Sequence, residues 1–300
     1  MNRSNTPRMS FIGFGEAGQA IASGLREGGI ERITAWDILF PAAEGERLRA
    51  AGQKMGVRLA DSAIDAVRET DMIISAVTAA SSLEAARSVE PHLSGNPYYL
   101  DINSVSPGRK QETAKLLGAK ARYVDVAVIA PIHPALHKTP MLAAGPHAEA
   151  IAPLLAELEM RATPVGADTG SAAAIKMIRS VLIKGIEALT FECFVAAARA
   201  GVLDEVTASL KNNYPGVDWT KMSEYNLERM ANHGERRAAE MEESAATLRE
   251  FGLDPLMVEA TVARQREMGA VGKSEKVRAT LDKGRAEMLN AISAAAKDRS

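Results

Sequence analysis

The chain of 300 residues contains 46% hydrophobic and 25% charged residues, a composition typical of a globular protein long enough for two domains. With 36 basic and 38 acidic residues the net charge is -2, which favours neither nucleic acid nor a membrane surface, so a small molecule is the expected partner. Cys193 is the single cysteine and excludes an intrachain disulfide, and the absence of a secretory signal or a membrane-spanning apolar run predicts a cytoplasmic protein.

The first half alternates short apolar or β-branched runs with stretches of helical spacing. Strands are predicted at Ser10–Ile12, Ile33–Trp36, Met72–Val77, Tyr98–Ile102 and Tyr123–Ile129, and helical stretches include Ala42–Ala51 and Ser81–Val89. Such alternation is typical of a parallel sheet covered by helices on both faces. The sequence therefore predicts an α/β fold whose N-terminal domain, residues 1–165, is a doubly wound Rossmann domain.

The second half, residues 166–300, is rich in Ala, Met, Leu, Glu and Arg and reads as an all-helical domain. One long helix is predicted over Asp168–Ala200, with a cleft between the domains beside it. Turns are predicted at Pro215-Gly216 and Gly252–Pro255, and a helix with a frayed end after Lys273.

A glycine-rich turn follows the first predicted strand and precedes a segment of helical spacing. In this context Gly13 permits a tight turn, Gly15 lets the backbone approach a pyrophosphate, and Gly18 lets helix and strand pack closely. The helix N-terminus offers amide groups to phosphates without a basic side chain. A flexible turn without a ligand is the alternative, but the strand, the helix and a later acidic residue favour a dinucleotide site.

That acidic residue is Asp37, which lies 19 residues beyond Gly18 at the end of the second predicted strand. A carboxylate there accepts hydrogen bonds from ribose hydroxyls and repels a 2′-phosphate, so NAD is predicted rather than NADP. The predicted cofactor-binding residues are Gly13, Phe14, Gly15, Glu16, Ala17, Gly18, Asp37, Val77 and Thr78.

Four stretches together resemble the β-hydroxyacid dehydrogenases, the superfamily of 3-hydroxyisobutyrate and 6-phosphogluconate dehydrogenases. They are Gly13–Gly18, Asp101–Pro107, Asp125–Pro131 and Gly166–Ser180. The resemblance implies a Rossmann domain joined to a helical domain, a nicotinamide cofactor and a homodimer. It also implies that Lys176 is the catalytic acid/base and that Asn103 and Ser104 bind the substrate carboxylate, although a turn capping the helix at Pro107 is equally consistent with the spacing.

Two departures from the family pattern leave the substrate open. Ser180 stands where the family commonly has asparagine, next to Arg179, and the stretch beginning at Asp125 lacks the family's two glycines. The segment around His233 resembles a divergent branch of the superfamily. The predicted substrate-binding residues are Asn103, Ser104, Asp125, Arg179, Ser180 and His233.

Lys176 lies on one predicted helix face with Ser180, Lys184 and Glu187, a stripe that is either a functional face or a solvated surface. Burial and the charge of Arg179 are expected to lower the pKa of Lys176. A second anion could bind Arg179, Arg236 or Arg237. No metal site is predicted, because the histidines lack ligand spacing, and Cys193 is expected to be a buried small hydrophobe.

The prediction is an NAD-dependent oxidoreductase that transfers a hydride between nicotinamide and a β-hydroxy acid, a sugar acid or a hydroxy amino acid, with Lys176 taking the hydroxyl proton. One alternative is an NADPH-dependent imine or keto reductase, against which Asp37 argues. Another is a dinucleotide-binding protein without catalytic activity.

Overall fold

The structure is a computed structural model that describes residues 6–297. The chain divides into two compact units, one ending at Lys176 and the other beginning at Met177. This boundary lies inside one long helix, Ser171–Ala200. Over the described residues, every helix is too short or too polar to span a bilayer.

The first unit is built on one eight-stranded sheet. Its strands are β1 (Met9–Ile12), β2 (Ile33–Trp36), β3 (Arg58–Leu59), β4 (Met72–Ser75), β5 (Tyr98–Asp101), β6 (Arg122–Val128), β7 (Met141–Ala144) and β8 (Ala162–Pro164). They are arranged in the order β3-β2-β1-β4-β5-β6-β7-β8. All neighbouring pairs are parallel except β6 and β7, which are antiparallel. The predicted doubly wound sheet is therefore confirmed.

Helices cover both faces of this sheet. They are α1 (Glu16–Glu27), α2 (Glu46–Lys54), α3 (Ala63–Val67), α4 (Ser82–Val89), α5 (Pro107–Leu117) and α6 (Ala148–Glu157). On one face Phe11 of β1 packs in a cluster with Ile21 of α1, and on the other Ile12 packs in a cluster with Val89 of α4. Because neighbouring residues of one strand enter opposite clusters, the central strands are continuously apolar.

Three strands were not predicted. Strand β3 has two residues, and β7, Met-Leu-Ala-Ala, has no β-branched residue. Strand β8 ends on Pro164. All three extend the sheet at its two edges, where pairing with an existing strand stabilises segments of low intrinsic strand propensity.

The second unit is helical, as predicted. It contains the remainder of α7 (Ser171–Ala200), followed by α8 (Leu203–Asn213), α9 (Trp219–Glu250), α10 (Leu256–Val271), α11 (Glu275–Arg278) and α12 (Arg285–Lys297). Phe194, Met230 and Leu289 lie in its main apolar cluster, against which the half-buried Cys193 packs. Burial raises the pKa of the Cys193 thiol.

The prediction of a single helix after Lys273 is wrong, because two helices, α11 and α12, occupy that region. The break between α11 and α12 includes Gly284, whose φ of 89° lies in the left-handed region that glycine tolerates best. The frayed end expected there falls partly on residues 298–300, outside the described residues.

Candidate functional site

The three glycines of the turn between β1 and α1 have different surroundings. Gly13 has a φ of 91°, and a Cβ atom there would lie 2.4 Å from the Ala76 carbonyl oxygen. A Cβ on Gly18 would lie 2.6 Å from the Gly13 carbonyl oxygen, whereas one on Gly15 would meet nothing within 4 Å. Gly13 and Gly18 are therefore required by the fold itself, while Gly15 keeps the surface bare where a ligand can approach.

Gly15 is also the N-cap residue of α1, and no side chain caps this helix end. The amide groups of the first turn lie at the N-terminal end of the helix, where they carry a partial positive charge. Phe14 is buried in the core, whereas Glu16 is exposed. Bare backbone and helix N-terminus together form a surface that fits a pyrophosphate group.

Asp37 directly follows β2 and contacts the glycine turn. Its Oδ2 accepts a hydrogen bond from the Phe14 backbone N–H at 2.7 Å, and its Oδ1 accepts one from the Leu39 N–H at 3.0 Å. The residue is half-buried, and its neighbour Ile38 is 83% exposed. The carboxylate is thus fixed beside the turn, where its charge acts on anything bound there.

Asn103 joins the ends of β4 and β5. Its Oδ1 accepts a hydrogen bond from the Val77 backbone N–H at 2.7 Å, and its Nδ2 donates to Ser75 Oγ at 2.9 Å. The residue is 4% exposed, while Thr78 is exposed. Asn103 therefore orders the backbone around the predicted cofactor residues Val77 and Thr78 from inside the protein.

Ser104 and Lys176, which are 72 residues apart in sequence, are brought together. Lys176 Nζ in the second turn of α7 donates a hydrogen bond to Ser104 Oγ at 2.5 Å. Both side chains are half-buried. The pair follows the carboxyl end of β5, the edge of a parallel sheet at which ligands bind.

Asp125 on β6 is fully buried and holds the start of α7. Its Oδ2 accepts hydrogen bonds from the backbone N–H groups of Gly170 and Ala173, each at 3.1 Å. A carboxylate at a helix N-terminus satisfies otherwise unpaired amides and interacts favourably with the helix dipole. The carboxylate of Asp125 is thus occupied in positioning the helix that carries Lys176.

The remaining predicted substrate residues belong to the second unit. Arg179 is exposed, and Ser180 is 8% exposed and accepts a hydrogen bond from Lys184 Nζ at 3.4 Å. Lys184 also pairs with Glu240 at 2.8 Å, and burial lowers the pKa of Lys184. The stripe on this part of α7 is therefore a buried polar cluster and not a solvated surface.

Two basic groups of α9 lie in different environments. His233 is exposed, and partial desolvation together with the positive charges of Arg236 and Arg229 lowers its pKa. Arg237 is 5% exposed and pairs with Glu187, to which its Nε donates at 3.0 Å. The guanidinium of Arg237 therefore forms an internal ion pair with Glu187. This differs from the binding of a second anion that was considered for it in the sequence analysis.

Elsewhere, a cavity of about 230 Å³ lies beside the end of α1 and contains none of the predicted site residues. His137, which is 4% exposed, lines this cavity, and its Nδ1 would lie 2.1 Å from a Cβ on Gly24.

Among residues 6–297 no group of three or more His, Cys, Asp or Glu side chains is arranged to hold a metal ion.

Comparison with known proteins gives evidence on the family of this chain that does not depend on the geometry of the site. Residues 8–104 match the family described as NADP oxidoreductase, coenzyme F420-dependent, and residues 197–268 match a domain of unknown function, DUF1932. A conserved hypothetical protein from Sinorhizobium meliloti 1021 has 35% sequence identity and a TM-score of 0.79, with 98% of each chain covered.

A second solved structure, described as similar to 3-hydroxyacid dehydrogenases, has 29% identity and a TM-score of 0.71 over 88% of this chain and 97% of its own. The chain belongs to the β-hydroxyacid dehydrogenase-like superfamily. The 3-hydroxyisobutyrate dehydrogenase of Mycobacterium tuberculosis shares its fold, with a TM-score of 0.69 at 15% identity over 96% of this chain and 98% of that one. The family matches support a dinucleotide-dependent oxidoreductase, and the DUF1932 match marks the divergent C-terminal domain of this superfamily member.

Sequence reasoning missed one buried charged residue of this superfamily member, Lys110 on α5. Its Nζ lies 3.1 Å from Asp101 Oδ1 and 3.5 Å from Asp125 Oδ1. The available signal was a lysine at helical spacing from Pro107 and Leu117, which are both buried.

Proposed function

We propose that this protein transfers a hydride between NAD and a β-hydroxy acid, with Lys176 as the acid/base. The observation that carries the proposal is the hydrogen bond of 2.5 Å between Lys176 Nζ and Ser104 Oγ, formed in the same unit as the glycine turn. Alcohol oxidation requires a proton acceptor beside the dinucleotide, and Lys176 places an amine near the carboxyl ends of the strands where it can serve as that acceptor.

Lys176 and Ser104 have different roles in the proposed reaction. A bound NAD supplies the hydride acceptor. Lys176, in its neutral form, takes the proton of the substrate hydroxyl as the hydride leaves the carbon, so the products are the ketone or aldehyde, NADH and protonated Lys176. The Ser104 hydroxyl orients the amine and is available to bind the substrate carboxylate. The substrate contacts predicted for Asn103, Asp125, Arg179, Ser180 and His233 stay predictions.

The decisive experiment is a screen for NADH formation across β-hydroxy acids, sugar acids and β-hydroxy amino acids, run alongside NADPH-dependent reduction of imines and ketones. Turnover of a β-hydroxy acid with NAD supports the proposal. Imine reduction with NADPH alone supports the alternative reductase. Tight binding of NADH without turnover of any compound supports a protein that binds the dinucleotide without catalysis.

The choice of NAD over NADP rests on Asp37, whose fixed carboxylate repels a 2′-phosphate. We expect NADH to bind at least about ten-fold more tightly than NADPH, and Asp37→Asn, which keeps an acceptor for the Phe14 N–H, to narrow that ratio. Fluorescence titration of the wild type and the variant with each cofactor measures this ratio of affinities. The control is Glu31→Gln, which removes an exposed charge from the opposite end of β2. Equal affinities in the wild type would contradict the assignment to NAD.

We further propose a homodimer, supported by exposed apolar residues on the part of α7 in the second unit. Ile178, Leu182 and Leu189 are 49%, 66% and 56% exposed, and their spacing places them on one helix face. Light scattering is expected to give twice the mass of one chain for the wild type and a single-chain mass for Leu182→Glu. A monomeric wild type contradicts this proposal.

A further inference from the structure

Lys110 is a lysine inside the core of the first unit. Its side chain is 1% exposed, and its Nζ donates hydrogen bonds to the carbonyl oxygens of Asp101 at 2.5 Å and Val126 at 3.4 Å. Its ion-pair partners are the carboxylates of Asp101 at 3.1 Å and Asp125 at 3.5 Å. A buried ammonium is strongly unfavourable unless charged and polar partners compensate it, so this position is specifically built for a cation.

The Lys110 ammonium also stabilises the two buried carboxylates that surround it. Asp101 and Asp125 are register partners on the adjacent strands β5 and β6, and both are fully buried. Two negative charges side by side in a low-dielectric interior repel each other strongly. Asp125 Oδ1 makes no hydrogen bond within the described residues, and Lys110 is its ion-pair partner.

Each carboxylate in turn holds one half of the Ser104–Lys176 pair. Asp101 Oδ1 accepts a hydrogen bond from the Asn103 N–H at 3.0 Å, and its Oδ2 accepts one from Tyr123 Oη at 2.8 Å, which fixes the backbone leading to Ser104. Asp125 Oδ2 accepts from Gly170 and Ala173, the latter three residues before Lys176.

We propose that Lys110 is a positioning residue that locks the loop after β5 and the first turn of α7 together, so that Ser104 Oγ and Lys176 Nζ meet. Its hydrogen bonds and ion pairs are to Asp101, Val126 and Asp125, so it acts on these two atoms through the two carboxylates. Its effect on turnover rests on the proposed function, whereas its effect on the two segments does not.

The experiment compares Lys110→Met with Lys115→Met, which removes an exposed lysine from the same helix. Hydrogen–deuterium exchange is followed in peptides covering residues 102–106 and 170–177, with residues 13–18 as the internal reference. NADH affinity is measured by fluorescence titration, and kcat is measured on any substrate that the screen identifies.

We expect Lys110→Met to accelerate exchange at least ten-fold in both segments and to lower kcat at least ten-fold, a larger factor than any rise in the NADH Kd. Lys115→Met is expected to match the wild type. Unchanged exchange in the two segments, or a uniform increase throughout the first unit, overturns the proposal. If no substrate is found, the proposed function fails, while the exchange data still decide whether Lys110 positions the two segments.

A second variant covers the case in which Lys110→Met does not fold. Lys110→Met combined with Asp125→Asn keeps the wild-type net charge of this cluster at one negative unit, and asparagine can still accept a hydrogen bond from Gly170 or Ala173. A folded double variant in which residues 102–106 and 170–177 exchange faster than in Asp125→Asn alone supports the proposal. Exchange in both segments no faster than in Asp125→Asn alone overturns it.

Discussion

Replacement of Lys176 by alanine is expected to lower kcat by at least about 100-fold, the lower end of what a positioned acid/base contributes to catalysis. The amine is the group placed to receive the hydroxyl proton, and its hydrogen bond to Ser104 fixes where that proton goes. NADH affinity should change less than two-fold, because the glycine turn and Asp37 do not involve this side chain. Steady-state kinetics and fluorescence titration measure the two effects separately.

Two further variants separate proton transfer from simple positive charge. Lys176→Arg keeps the charge but does not release a proton near neutral pH, so it is expected to be as inactive as the alanine variant. Ser104→Ala keeps the amine and removes only its partner, so about a ten-fold loss is expected. Near-wild-type turnover in Lys176→Ala excludes Lys176 as the acid/base.

Gly15→Val is expected to weaken NADH binding about 100-fold, equivalent to about 2.7 kcal/mol, without unfolding the protein. The new side chain meets no protein atom within 4 Å of its Cβ, and the φ of −73° and ψ of −160° are acceptable for any residue. It projects into the space that the pyrophosphate is expected to occupy. Calorimetric titration gives the Kd, and thermal unfolding gives the stability.

The neighbouring glycines provide matched comparisons. Gly13→Ala and Gly18→Ala place a Cβ 2.4 Å and 2.6 Å from backbone oxygens, and Gly13 also has a positive φ. Both variants should therefore lose thermal stability, in contrast to Gly15→Val. If Gly15→Val binds NADH as tightly as the wild type, the dinucleotide does not cross this turn.

Much of the fold was predictable because its signals are local. The apolar runs that became β1, β4 and β5 are buried on both faces, which gives each of them a continuous pattern that sequence reveals. Strand β7 was missed, since its pairing with β6 and β8, and not its own residues, makes it a strand. The break between α11 and α12, which includes Gly284, was missed because the segment otherwise has helical composition.

In the candidate site, too, local sequence motifs were predictable and contacts between distant residues were not. The glycine turn, Asp37 and Lys176 were predictable from motifs, whereas the partners of the buried carboxylates were not. The predicted contact of Asp125 with substrate stays a prediction, and the sequence did not indicate that its side chain also accepts a hydrogen bond from Gly170 N–H, 45 residues away, at the start of α7. Arg237 pairs with Glu187 through a contact between two helices that sequence alone does not align.

The buried Lys110 cluster also constrains which natural sequences can carry this site. A chain in which position 110 becomes apolar has two uncompensated carboxylates in its interior, unless one of them changes as well. Substitutions at positions 101, 110 and 125 are therefore expected to occur together among homologues, with an uncharged residue at 101 or 125 wherever 110 is not basic. Such a correlated pattern would distinguish the lineages that retain this way of holding the α7 lysine from those that have replaced it.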